Sequence, residues 1–229
     1  EPKGSGSKLK PIIIDKYDTG KRPAIHGQGL KQYTLLLQNI EYWEVRNLEI
    51  TNRGEERTPG RRGVSILAEN FGDGRHIVLD SLEIHEVNGS LVKSEGGGSA
   101  IWWKNSGDQV KTRFVGLVIQ NCHIHHCERN GINSNGYTRR DNWHPSQGVV
   151  IRNNLLEQVP GDGIVPIGCE GVLIEHNVMR DCPDILSHQE AAAGIWPWSS
   201  DNTLIQFNEV SGHKAKWDGQ GFDSDFNCR

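Results

Sequence analysis

One six-residue pattern limits the folds open to this chain more than any other feature. It runs apolar, polar, Asn or another turn former, then two variable positions and a final apolar residue. Copies occur at Val45-Arg46-Asn47-Leu48-Glu49-Ile50, Leu79-Asp80-Ser81-Leu82-Glu83-Ile84 and Ile119-Gln120-Asn121-Cys122-His123-Ile124. Further copies follow at Ile151-Arg152-Asn153-Asn154-Leu155-Leu156, Ile174-Glu175-His176-Asn177-Val178-Met179 and Ile205-Gln206-Phe207-Asn208-Glu209-Val210. A strand-like unit that returns every few tens of residues cannot bury its apolar side alone, and stacking the copies solves that problem.

A second unit alternates with the first: a small residue, an inward apolar residue, then strand alternation. It is read at Gly63-Val64, Ala100-Ile101, Gly131-Ile132, Gly163-Ile164, Gly194-Ile195 and Gly221-Phe222. Stacking puts Val45, Leu79, Ile119, Ile151, Ile174 and Ile205 in one apolar column. A second column holds Ile50, Ile84, Ile124, Leu156, Met179 and Val210, and a third holds Asn154, Asn177 and Asn208, whose amides can hydrogen-bond from coil to coil. The pattern predicts an all-β, right-handed parallel β-helix of about six coils. Handedness follows from the general chirality of parallel crossovers. A propeller would need antiparallel hairpins with tight two-residue turns, which these repeats lack.

Residues 1–30 read as an entry segment with short strands at Pro11-Ile12-Ile13-Ile14 and near Ala24-Ile25, and residues 31–229 as the repeat domain. The repeat runs into both ends without a polar cap. This predicts a fragment of a longer protein, or an open solenoid end covered by missing coils or by a partner chain. With 229 residues the chain can bury a sizeable core, and 27 glycines suit a turn-rich β protein. A net charge of -4 and the lack of a long basic run argue against a nucleic-acid partner. No apolar run reaches the roughly 18 residues that span a bilayer, so no membrane partner is expected. Cys122, Cys127, Cys169, Cys182 and Cys228 form an odd set without metal-site spacing, and most are expected to be buried packing residues.

Strand alternation points Trp102 and Lys104, Asn133 and Asn135, Val165 and Ile167, Trp196 and Trp198, and Asp223 and Asp225 outward. The small residues before them are expected to leave a shallow trough beside this row. Indoles, amides and carboxylates on a long open face suit a saccharide, whose C–H faces stack on aromatic rings while its hydroxyls take hydrogen bonds. Trp102, Lys104, Asn133, Asn135, Trp196, Trp198 and Glu190 are therefore candidate substrate-binding residues.

Cleaving a glycosidic bond takes two carboxyl groups. Asp162, Asp223 and Asp225 are the candidate catalytic residues, with about 10 Å of axial separation between the coils of Asp162 and Asp223. Asp218, Glu190, Asp141 and His144 stand behind them. The rival chemistry, β-elimination from a uronic acid, would use a base or charge neutraliser from Lys104, Arg129, Arg62, Lys214 and Lys216, with calcium as a helper. Otherwise no cofactor is expected. Elsewhere, Glu83, His85, His123 and His125 fall on neighbouring strands as a set a transition metal could use, although solvated polar residues are the simpler reading and no metal site is assigned.

Gly161-Asp162-Gly163-Ile164, the Asn-bearing repeats, Gly194-Ile195-Trp196-Pro197-Trp198 and the final Asp218 to Asp225 together resemble bacterial proteins of the pectate-lyase-like superfamily. The resemblance covers residues 31–229. It implies a secreted or periplasmic carbohydrate-active protein: first a glycoside hydrolase acting on a plant or algal polysaccharide, then a polysaccharide lyase, then a non-catalytic carbohydrate-binding β-helix. Polygalacturonases carry an adjacent Asp-Asp pair and an Asn-Thr-Asp motif. This chain has neither, so the resemblance reaches the superfamily and not that enzyme family.

Overall fold

The structure is a computed structural model that describes residues 2–229. Its strands build three parallel sheets that wrap an apolar core, one strand per sheet in most coils, with a second short strand of the first sheet at Ser146–Gln147 and at Cys169–Glu170. The first sheet runs Ile12–Ile14, Trp43–Arg46, Asp73–Asp80, Arg113–Gln120, Val150–Arg152, Leu173–Glu175, Leu204–Gln206. The second runs Ala24–His26, Glu49–Asn52, Glu83–Asn88, His123–Glu128, Leu155–Glu157, Val178–Arg180, Glu209–Val210. The third runs from Tyr33–Gln38 through Arg61–Glu69, Gly98–Ser106 and Asn130–Asn135 to Ile164–Val165, and continues as single bridges at Ile195 and Phe222. Each sheet thus has seven rungs among the described residues, one more than the repeats alone suggest. In the first two sheets the extra rung comes from the entry segment, whose strands pair in parallel with Trp43–Arg46 and Glu49–Asn52, and in the third it is Tyr33–Gln38.

The registers confirm both apolar columns. Val45 pairs with Leu79, Leu79 with Ile119, Ile119 with Ile151, Ile151 with Ile174, and Ile174 with Ile205. Ile50, Ile84, Ile124, Leu156, Met179 and Val210 pair the same way on the second sheet. Stacking identical positions lets each β-branched or long apolar side chain pack against its copy above and below, and nearly all of these side chains are fully buried.

The repeat's Asn has two separate uses. Its third position, at Asn47, Ser81, Asn121, Asn153, His176 and Phe207, is the corner between the first and second sheets, and each residue there has φ between 53° and 56°. Left-handed backbone is costly for most side chains and least so for Asn. The fourth position points into the core. Leu48, Leu82 and Cys122 fill it in early coils, and Asn154, Asn177 and Asn208 in later ones. The Nδ2 of Asn154 donates to Oδ1 of Asn177, and that of Asn177 to Oδ1 of Asn208, each at 2.9 Å. These amides also donate to the carbonyls of Ile119 and Ile151 and accept the backbone N–H of the previous coil, so the buried amides of Asn154 and Asn177 are not stranded.

The small residues at the start of the third-sheet strands do not border a trough. A Cβ on Gly163 would sit 2.3 Å from Sδ of Met179 and 2.6 Å from the Gly194 carbonyl, and one on Gly131 would sit 2.5 Å from Leu156. They are small because the second and third sheets close on each other inside the core. All five cysteines are free thiols, and four are buried. Burial raises the thiol pKa of Cys122 and Cys169 to about 12 and that of Cys182 to about 11, so these sulfurs are packing atoms. No helix among the described residues is long and apolar enough to cross a membrane.

Candidate functional site

The third sheet presents two outward columns. Registers align Ser65, Trp102, Asn133 and Val165, and then Trp196 and Asp223, which flank the Ile195–Phe222 bridge. The neighbouring column holds Leu67, Lys104, Asn135, Ile167, Trp198 and Asp225. The expected outward set is therefore one continuous face. Asp223 and Asp225 both donate their backbone N–H groups to the preceding coil, to the carbonyls of Ile195 and Pro197. They stand one rung beyond Trp196 and Trp198.

The face is not uniformly open. Trp102 is half-buried beneath the Arg62 guanidinium, which lies 3.7 Å from its ring centroid. Burial lowers the Arg62 pKa to about 10. Arg62, Trp102, Lys104, Tyr33 and Glu69 help line a cleft of about 300 Å³. Asn133 is half-buried and accepts the Ser99 hydroxyl at 2.6 Å, whereas Lys104 and Asn135 are exposed.

Trp196, expected as an exposed indole, is only 7% exposed. It packs with Val165, Ala193, Ile167 and Trp198, and Lys93 lies over its ring at 5.3 Å. One edge of it still lines a cleft of about 120 Å³ with Lys93, Asn133 and Asp162. Trp198 remains partly exposed and tilts against Phe226, with ring centroids 6.2 Å apart. Together they border a larger cleft of about 380 Å³ with Arg140 and Asn227. The Tyr137–Ser146 loop forms one wall of that cleft. Arg140 clamps it down by two bonds to Asp201, at 2.7 and 2.8 Å, and by stacking on Trp143 at 4.1 Å.

Asp162 differs in kind from Asp223 and Asp225. Its carboxylate is almost wholly buried and fully engaged. One oxygen accepts the Ala193 N–H and the Trp196 Nε1–H, at 3.1 and 3.2 Å, and the other accepts Nη1 of Arg129 at 2.7 Å, with Nζ of Lys93 at 3.7 Å. Arg129 is itself completely buried and also reaches Glu190 at 3.3 Å. Glu190 in turn accepts the Lys93 backbone N–H at 2.8 Å. Two cations and two carboxylates thus tie the loops around Lys93 and Glu190 to the coil of Asp162, and Glu190 faces this network. Arg129 is accordingly an internal counter-ion with no open face. Asp141 pairs with Arg139, and His144 stands edge-on to Tyr137 with burial lowering its pKa.

Lys93, Arg140 and Phe226 line the clefts yet carried no motif in the sequence. Each reaches the face from a loop or the last coil, where no periodicity shows which way a side chain points.

The family model described as the right handed beta helix region matches residues 99–226. The chain belongs to the right-handed β-helix family. A lacto-N-biosidase of Bifidobacterium longum subsp. longum is 26% identical to it, in a match that takes in 97% of this chain and 20% of that protein. Two crystal structures of a GH136 lacto-N-biosidase from Eubacterium ramulus, native and selenomethionine-labelled, superpose with TM-scores of 0.77 and 0.76 at 25% and 26% identity. Each match covers 90% of this chain and 42% of the enzyme. The β-helix of PfbA, a surface adhesin of Streptococcus pneumoniae, shares the fold at 12% identity and TM-score 0.58, over 97% of this chain and 61% of that one. The chain therefore spans a fifth of the curated relative and less than half of the solved enzyme. In this chain, the third-sheet face is where aromatic rings, clefts and exposed carboxylates coincide.

Proposed function

We propose that this β-helix forms the saccharide groove of a glycoside hydrolase of the lacto-N-biosidase type, cleaving an oligosaccharide on the third sheet. The observation that carries the reading is the placement of Asp223 and Asp225 on the outward columns of Trp196 and Trp198, one rung further on. A sugar stacked on the Trp198 and Phe226 rings would bring its glycosidic bond to the carboxylates of that coil. The terminal coil has three exposed or half-exposed carboxylates, Asp218, Asp223 and Asp225, and the catalytic pair is drawn from them. Residues two apart on a strand stand about 6.6 Å apart along it, a separation from which two carboxyl groups can flank one glycosidic bond. One would protonate the leaving oxygen, and the other would attack the anomeric carbon or activate water. Asp162, with both oxygens engaged, acts as a positioning residue that holds Trp196 and the Lys93 loop.

The relatives point to an oligosaccharide rather than to the plant or algal polysaccharide expected from the sequence. Incubation with an oligosaccharide panel that includes a lacto-N-bioside tests the reading. New reducing ends without an unsaturated-uronate absorbance support hydrolysis, absorbance instead indicates elimination, and retention without turnover indicates binding alone.

A further inference from the structure

The second sheet, on another side of the solenoid, carries a concentration of imidazoles that the saccharide face does not use. His123 pairs in register with Glu83, and His125 with His85, so four side chains stand on one face of two adjacent rungs. The His125 ring lies 4.7 Å from that of His85, stacked at 7°, and 4.5 Å from that of His123. His126 comes in edge-on, with its Nδ1 2.9 Å from Nδ1 of His125.

The partners around the rings set which nitrogens are free. Nε2 of His123 lies 2.8 Å from Glu157, and Nε2 of His85 lies 3.2 Å from Glu49. A carboxylate that takes one ring N–H leaves the other nitrogen's lone pair available, the arrangement usual behind metal-binding histidines. One oxygen of Glu83 is held by Arg22 at 2.9 Å, while the other faces Nε2 of His125 at 3.6 Å. That gap is longer than a hydrogen bond. In a tetrahedral site with bonds of about 2.0–2.1 Å, neighbouring ligand atoms stand about 3.3–3.4 Å apart. One ligand atom from each of Glu83, His123 and His125 lies within 4.8 Å of the others. All three side chains are partly exposed, so an ion can reach them and the rings can close the remaining distance.

We propose that Glu83, His123 and His125 bind a divalent transition metal of the Zn²⁺ class, with His85 and His126 packed around them and a fourth position open to water. Two imidazoles and one carboxylate favour such an ion over Ca²⁺, which takes six or more oxygens. Bound there, the ion links the rungs of Glu83 and His123 and strengthens the coil stack without touching the saccharide face.

Calorimetric titration of the EDTA-treated protein with ZnCl₂, and separately with CaCl₂, tests this. The expected result is saturable Zn²⁺ binding near one ion per chain, no comparable Ca²⁺ binding, and a rise in Tm with Zn²⁺. His123→Asn and Glu83→Gln, both at half-exposed positions, should each weaken Zn²⁺ binding by about tenfold or more. The circular dichroism of both should be unchanged, and His188→Asn, at an exposed position of the Pro183–Ala193 loop, should bind like the parent. Absence of saturable Zn²⁺ binding, or parent-like affinity in both cluster variants, would overturn the proposal. Saccharide turnover plays no part in either readout, so the two proposals stand or fall separately.

Discussion

The guanidinium of Arg129 and the carboxylate of Asp162 meet at 2.7 Å with both side chains shut off from solvent. Arg129 lies on the coil before Asp162, and the pair joins the second-to-third sheet corners of two successive rungs. Glu190 and Lys93 complete the balance of charge. An acid held this way ties the loops to the sheet, whereas Asp218, Asp223 and Asp225 of the terminal coil are exposed or half-exposed.

That contrast separates two kinds of carboxylate by experiment. Asp162→Ala leaves Arg129 buried beside a single acid and should cost about 3–5 kcal/mol of stability, read as a lower denaturation midpoint in urea. Asp223→Asn should change stability by no more than about 0.5 kcal/mol. Equal midpoints for both variants would contradict the assignment of Asp162 as an internal anchor.

Gly163→Ala tests the close approach of the second and third sheets. The added methyl meets Met179, which can move, and the Gly194 carbonyl, which cannot without shifting a rung. A loss of about 1–3 kcal/mol is expected in thermal unfolding. A neutral substitution would return these glycines to the role first read for them, as the border of a surface trough.

Asn177→Ala removes a ladder member whose amide donates to the Ile151 carbonyl and to Asn208 and whose oxygen accepts from Asn154. Several buried partners lose their bonds at once, so a loss of roughly 3 kcal/mol or more is expected in urea denaturation. A loss under about 1 kcal/mol would mean that the ladder is dispensable.

Acid sensitivity should have an identifiable contributor in Asp80. Burial alone would raise its pKa, but hydrogen bonds from Asn121, Gln120 and Ser81, with Arg46 nearby, outweigh burial and hold it below the usual carboxylate range. A carboxyl depressed from an unfolded value of about 3.9 contributes stability in full above that pH, and the contribution is lost as pH falls through the folded value. Stability measured from pH 5 down to pH 2 should therefore fall less steeply in Asp80→Asn than in the parent. An identical slope would show that Asp80 is not linked to folding.

Much of the fold was legible in the sequence because a solenoid repeats its environment. Val45, Leu79 and Ile119 sit in the same surroundings, so one pattern recurs at each, and its strand alternation correctly pointed Trp102, Asn133 and Asp223 outward. Burial across coils was less legible. Trp196 reads as outward, and it is, yet Lys93 and Ala193 come over it from loops that share no period with the strand. Asp162 in Gly-Asp-Gly reads as a candidate catalytic acid, because nothing local shows that Arg129 is paired with it. The glycines were seen, but the side chains they make room for, Met179 and Leu156, belong to a different sheet.

In the function proposed here, the terminal coil supplies the paired carboxylates of a glycoside hydrolase. Turnover of a chromogenic lacto-N-bioside, measured for the parent and for Asp218→Asn, Asp223→Asn and Asp225→Asn, tests it most directly. Two of the three variants should lose about 10²-fold or more in kcat while keeping the parent's unfolding midpoint. A parent rate in all three would contradict the claim, as would a parent that releases no product from that glycoside or from any oligosaccharide of the panel.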